Sequence, residues 1–172
     1  LEKELGVPVN VINATGGKGV TGHSRGLRAQ ADGYTITTIT LELNMLHWIT
    51  PAEITFQDCT PLAGINEDAA ALFVRNNSDW NSLEELARAV REKPGALTSS
   101  GTATGGAWHL ALAGWLRSMD RSPDDIRWIS STGANPSLLE LTKGGVDMVC
   151  CRLPEARTLL EGEEVRALGV MA

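Results

Sequence analysis

Three stretches of this 172-residue chain carry residue types and spacings that could do chemistry. Gly17-Lys18-Gly19-Val20-Thr21-Gly22 fits G-x-G-x-x-G, and Glu42 follows at the distance where an acidic side chain meets the ribose of a dinucleotide. The first glycine of that motif belongs directly after a strand, whereas Asn13, Ala14, Thr15 and Gly16 intervene here. Gly22-His23-Ser24-Arg25-Gly26 fits G-x-S-x-G, which presents a serine nucleophile at a sharp strand-to-helix turn. His109 could complete a triad, but the pentapeptide falls inside an expected helix, where its two glycines permit close packing. The third stretch is Ser99-Ser100-Gly101-Thr102-Ala103-Thr104-Gly105-Gly106-Ala107-Trp108-His109. Glycines and hydroxyls fill the turn between a strand and a strong helix, where unpaired backbone amides and the helix dipole favour an anion. Ser99, Thr102 and Thr104 can add hydroxyl donors, and without G-K-[ST] the natural fit is a carboxylate rather than a nucleotide phosphate.

The surrounding pattern must position these loops. The alternation of Val7, Val9 and Val11 predicts a strand over 7–12, and β-branched residues predict another over 34–40. A helix is expected over 20–31, a short helix near Met45-Leu46, and short strands over 62–65 and 70–74. Ser82-Leu83-Glu84-Glu85 is a capping-box signature opening a helix that Pro94-Gly95 ends. A strand over 97–100 precedes the third stretch, and Trp108, Leu112, Trp115, Leu116 and Met119 form the apolar stripe of the helix after it. A strand over 126–129, a helix with Pro136 in its first turn ended by Gly144-Gly145, a strand over 146–151, a helix over 154–161 and a strand over 165–171 follow. Strands alternating with helices indicate an α/β fold with largely parallel sheets, whose ligands sit at strand carboxyl ends.

Composition narrows the partners. Fifteen basic against twenty-one acidic residues give a net charge of -6, which argues against nucleic acid as the main partner. No apolar run is long enough to span a membrane. Glycine, at 18 residues, is in excess and gathers at residues 16–19, 101–106 and 133. Cys59, Cys150 and Cys151 show no metal-ligand spacing and are expected to be small buried apolar residues. Leu1 to Gly6 reads as the last turn of a helix and 165–171 as a closing strand, so both ends look cut.

Ordered motifs carry a family resemblance. Asn13 with its following glycines, Ala31-Asp32-Gly33-Tyr34-Thr35, Pro94-Gly95 and Gly101-Thr102-Ala103-Thr104-Gly105-Gly106-Ala107-Trp108-His109-Leu110-Ala111 come first. Thr132-Gly133-Ala134-Asn135-Pro136-Ser137-Leu138, Gly144-Gly145-Val146-Asp147 and Val165-Arg166-Ala167-Leu168-Gly169-Val170 follow. This set resembles the substrate-binding receptors of tripartite tricarboxylate transporters, the Bug or TctC family. The resemblance implies a periplasmic binding protein-like fold of type II, with two Rossmann-like α/β lobes and an incomplete first lobe. The partial first lobe would be residues 1–73 with 165–172, and the second lobe 74–164. The resemblance further implies a non-enzymatic, periplasmic solute-binding protein that captures a small organic carboxylate for the membrane subunits of a transporter, with no cofactor or metal.

Carried over position by position, Ser99, Gly101, Thr102, Gly105 and Gly106 match the second-lobe carboxylate loop. Thr132, Gly133, Ala134 and Asn135 match the loop after the next strand, and Thr15, Gly16 and Gly17 the first-lobe glycine loop. Glu155 can select a ligand amine or hydroxyl, or cap a helix. The chain departs from the family where Ser130 or Ser131 replaces a tyrosine, and in lacking the family's opening strand and first glycine loop. A sheet edge left open by the partial lobe would need covering, which another copy of the chain could do. An enzyme built on residues 17–22 or on Ser24, and an interaction remnant of the fold, are the competing readings.

Overall fold

A computed structural model describes residues 1–171. The chain divides into two compact units, residues 1–62 and 63–172.

The first unit is helical and irregular. It contains α1 (Glu2–Leu5), a 3-10 turn at Gly17–Gly19, α2 (Val20–Leu27), a 3-10 turn at Leu41–Asn44, α3 (Leu46–Ile49) and a 3-10 turn at Phe56–Asp58. Leu43, Leu46 and Ile54 form its core, with Val20 and Leu27 packed against them. The strands expected over 7–12 and 34–40 are absent, and the helix expected over 20–31 stops at Leu27. The valine and isoleucine pattern supplies an apolar face, but a strand also needs a neighbouring ladder. No strand of the described first unit offers one, so these segments stay extended, with Val11 86% and Tyr34 93% exposed.

The second unit is a five-stranded sheet between helices. Its elements are β1 (Ala70–Arg75), α4 (Leu83–Glu92), β2 (Leu97–Ser100), α5 (Ala107–Ser118), a 3-10 turn at Pro123–Asp125 and β3 (Ile126–Ile129). Then come α6 (Ala134–Lys143), β4 (Met148–Arg152), α7 (Leu153–Glu161) and β5 (Val165–Met171). The strand order is β3-β2-β4-β1-β5. β2 runs parallel to β3 and β4, while β1 is antiparallel to both β4 and β5, so the expected parallel sheet holds one reversed strand. Residues 62–65 form no strand. The compact-unit boundary falls between Leu62 and Ala63, and β5, grouped by sequence with the first lobe, hydrogen-bonds to β1 within the second unit.

Alternation along the strands builds two cores. Leu72, Val74, Met148 and Cys150 face Leu86 and Val90 of α4 and Leu112 and Leu116 of α5. Phe73, Val149 and Cys151 face Leu138 and Leu141 of α6 and Ala156 of α7. The helix ends follow their sequence signals: at the start of α4 Ser82 Oγ accepts from the Glu85 amide at 3.3 Å, and Gly144 closes α6 with φ +82°. Asp147 ties β4 to β2 by accepting from the amide and hydroxyl of Thr98 at 2.8 and 2.7 Å.

The adjacent cysteines therefore point to opposite faces and cannot bridge. Burial pushes the Cys150 thiol up to about 12, and burial together with the Glu155 charge pushes Cys151 higher still. Cys59 is half-buried, its thiol directed to the Phe56 carbonyl at 3.2 Å. Because the thiolate is the reacting species, a disulfide reagent at mildly alkaline pH is expected to label Cys59 alone in the folded chain and all three thiols in denaturant. Rapid labelling of Cys150 or Cys151 in the folded chain would contradict this packing.

Candidate functional site

The sheet order places a switch point at the carboxyl end of β2: the chain leaves β2 for β3 on one side, then crosses back to β4 on the other. Crevices at such points are where α/β sheets hold ligands. The 101–106 loop enters α5 there, and residues 130–133 enter α6. Gly101 lies deepest in the first loop. A Cβ at this position would clash with the Cys150 carbonyl oxygen and stand 2.9 Å from the Trp128 ring and 3.1 Å from Trp108 Cβ. Glycine is what lets the loop leave the sheet against the β4 backbone.

The two loops are tied into one body. Ser130 Oγ accepts from the Thr104 amide at 3.1 Å and lies 2.6 Å from Thr104 Oγ1. The Ser131 amide and Trp128 Nε1 both donate to the Thr102 carbonyl at 3.1 Å. Beneath them Ser100 Oγ donates to the Ile129 carbonyl at 2.7 Å and sits 2.9 Å from Ser137 Oγ, which is 3.0 Å from the Gly133 carbonyl. Ser130 and Ser131, one of which stands where the resembled family has a tyrosine, thus both link the loops.

The structure puts Gly101, Thr102, Gly105 and Gly106 in the loop that follows Ser99 of β2, and joins that loop through Ser130 and Ser131 to Thr132 and Gly133 and the α6 start at Ala134 and Asn135. Their polar groups divide into engaged and open ones. The Gly106 amide donates to the Ala103 carbonyl at 2.9 Å and the Gly105 amide to His109 Nδ1 at 3.0 Å, so both are spent inside the loop. The first-turn amides of Ala107, Trp108 and His109 in α5, and of Ala134 and Asn135 in α6, have no backbone acceptor among the described residues. Ser99 is fully buried, and its hydroxyl and that of Thr102 have no partner among the described residues. Ser99 shares the sheet face of Leu97 and Trp128, the side that packs with α5. The open helix-start amides of α5 and α6 make a donor-rich cradle with an attractive dipole and no acidic side chain in either first turn.

Glu155 plays the capping part of its two expected roles: its carboxylate accepts from the Arg152 amide at 3.3 Å and lies 3.5 Å from Arg152 Nε. Arg152 also pairs with Asp68 at 3.0 Å. Thr15, Gly16 and Gly17 lie in the first unit, with Gly16, Gly17 and Gly19 all at positive φ ahead of α2. A depression of about 250 Å³ flanks α6 and is lined in part by Ser100, Ile129, Ser130, Ser131 and Ser137 of the loop junction.

The two competing motifs lose their structural premise. Residues 7–15 form no strand, so the G-x-G-x-x-G stretch follows irregular chain, and Glu42 lies in a 3-10 turn. Ser24 sits in the middle of α2, not at an elbow. A Cβ on Gly22 would stand 2.8 Å from the Ala14 carbonyl oxygen, and one on Gly26 would overlap Thr37. Both glycines therefore serve close packing against α2. His23 is buried beside Thr40 at 3.2 Å, and burial lowers its pKa against the opposing pull of Glu42. Among the described residues no group of His, Cys, Asp and Glu could hold a metal.

Ser130, Ser137, Trp128 and His109 escaped sequence reasoning as loop-holding residues. The signal for His109 was its place three residues after Gly106, where side chains reach back to cap a helix start.

Comparison with known proteins adds a consistent set of likenesses. A family model described as "Tripartite tricarboxylate transporter family receptor" matches residues 1–172. The "UPF0065 protein in tcbD-tcbE intergenic region" of Pseudomonas sp. (strain P51) is 27% identical over 99% of this chain, which spans 50% of that protein. Among solved structures, a TctC solute binding protein from Polaromonas is 25% identical, with a TM-score of 0.73 over 94% of this chain and 54% of its own. An R. palustris protein solved with adipate is 24% identical, with a TM-score of 0.84 over 98% of this chain and 56% of its own. MatC from Rhodopseudomonas palustris, with bound malate, is 23% identical, with a TM-score of 0.76 over 99% of this chain and 58% of its own. The chain therefore spans about half the length of the relatives it matches.

Proposed function

Because the chain belongs to the receptor family of tripartite tricarboxylate transporters, we propose that it binds a small organic carboxylate at the carboxyl ends of β2 and β3. The family is one of solute-binding receptors rather than enzymes. The observation that supports the reading is the set of open first-turn amides of α5 and α6, with the unpartnered Thr102 hydroxyl in the loop that enters α5. A carboxylate would accept from those amides, with Thr132, Gly133, Ala134 and Asn135 bordering it. The malate and adipate bound by solved relatives support a small carboxylate as the ligand class. Periplasmic location and delivery to membrane subunits follow the same family reading. A protein whose net charge is -6 can still hold an anion this way, because helix-start amides act locally and are screened little when buried.

Calorimetric titration with malate, adipate and the diamide of malate tests this. Binding of at least one dicarboxylate, with none of the uncharged diamide, is the expected result. Equal response to diacid and diamide, or to neither acid, would overturn it.

A further inference from the structure

Three helix starts in this chain share a device. A residue in the first turn reaches back to hold an amide just before the helix: Asp58 holds the Thr55 amide at 2.7 Å, Glu85 the Asn81 amide at 2.6 Å, and Glu155 the Arg152 amide at 3.3 Å. All three are carboxylates, which also offset the helix dipole. At α5 the same position is His109, whose Nδ1 accepts from the Gly105 amide at 3.0 Å. Neither α5 nor α6 carries an acidic residue in its first turn.

We propose that His109 is the positioning residue of the anion cradle, a neutral acceptor that fixes the 101–106 loop without placing a negative charge where an anionic ligand must sit. The inference rests on the carboxylate reading of the site and names what makes the site usable. Gly105 stands at φ +81°, and its amide is aimed at the imidazole rather than outward. The ring also packs against Trp128, with centroids 4.9 Å apart and planes tilted by 44°, and Trp128 Nε1 donates to the Thr102 carbonyl. His109 and Trp128 together thus grip the loop at both ends. Because Nδ1 accepts, the neutral ring carries its proton on Nε2. Burial lowers the His109 pKa, while Asp124 on the turn before β3 is the charged group that opposes this; β3 presents Trp128, and the loop presents backbone. The neutral form is therefore the resident one near pH 7. A glutamate here could hold the same amide, but its charge would cancel the dipole that draws a carboxylate.

Three variants of the full chain separate holding from charge: His109→Asn, whose amide oxygen reaches about where Nδ1 lies, His109→Glu and His109→Leu. Two readouts are needed, hydrogen exchange of the Gly105 amide and malate and adipate titration at about pH 8. His109→Asn should keep Gly105 protection and affinity. His109→Glu should keep protection but lose affinity by about tenfold or more, the loss shrinking in high salt. His109→Leu should lose protection by about tenfold or more along with affinity. Wild-type affinity in His109→Glu, or full Gly105 protection in His109→Leu, would overturn the proposal. If the wild type binds neither acid while Gly105 protection still follows the acceptor at position 109, the carboxylate reading falls and the holding role stands.

Discussion

Gly101→Ala is expected to abolish carboxylate binding and to lower the melting temperature by roughly 10 °C, equivalent to about 3 kcal/mol. The added methyl would overlap the Cys150 carbonyl oxygen, and it would also press on Trp128 at 2.9 Å and on Trp108 Cβ at 3.1 Å. A side chain could swing aside, but the Cys150 carbonyl belongs to β4, which is registered with β2 through Ser99↔Met148 and Ser100↔Val149. Relief therefore comes from separating the two strands or from lifting the loop. Lifting the loop moves the start of α5 and with it the amides of Ala107, Trp108 and His109. Gly114→Ala is the matched control. Gly114 is exposed on α5 with nothing within 4 Å of an added Cβ, so alanine there should stabilise by about 0.5–1 kcal/mol through helix propensity. Thermal melts and dicarboxylate titration of both variants give the comparison. A Gly101→Ala protein that melts and binds like wild type would show that the β4 approach is not what fixes the loop.

The contrast between these glycines shows how far a sequence can be read. From Ala70 onward each element lies within a few residues of its pattern, because local signals mark the boundaries: Ser82 at a helix start, Pro136 in a first turn, Gly144 at φ +82° after a helix end. Before Ala70 the helical patterns hold, at Val20–Leu27 and Leu46–Ile49, while the strand patterns mislead. Residues 7–12 and 34–40 have strand composition and no strand beside them in the described first unit, since pairing depends on a second segment that composition does not reveal. Strand direction is likewise invisible to alternation, and so the reversal of β1 is a result of the structure alone.

The cradle divides in the same way. Its glycines and hydroxyls are contiguous in residues 99–106, hence legible. The bonds that make it rigid join Thr104 to Ser130 and Ser100 to Ser137, across 26 and 37 residues. Which amides remain open is a consequence of those bonds. Gly105 and Gly106 look like ligand donors in sequence, and the folded chain spends their amides on His109 and Ala103.

The largest loss of stability is expected from Phe73→Ala, about 3–5 kcal/mol. Phe73 is fully buried on β1, the strand flanked on both sides, opposite Val149 on β4 and Ala167 on β5. Its ring lies in the cluster of Leu138, Leu141, Val149 and Val165, which seats α6 and α7 on the sheet. Removing it takes apolar surface from that cluster and leaves a cavity that a sheet pinned on both edges cannot collapse around. Phe73→Leu keeps most of the volume and should cost about 1–1.5 kcal/mol, so the two variants bracket the cavity contribution. Urea titration followed by circular dichroism reads both, and an unchanged slope would show that the folded and unfolded surfaces are preserved. Ala134, at the start of α6, belongs to the same cluster, whereas the core beneath α5 lies on the opposite sheet face. Well below its melting temperature, Phe73→Ala should therefore weaken carboxylate binding only as far as α6 shifts, and far less than Gly101→Ala does. A Phe73→Ala protein within about 1 kcal/mol of wild type would mean that α6 and α7 are held to the sheet by something other than this cluster.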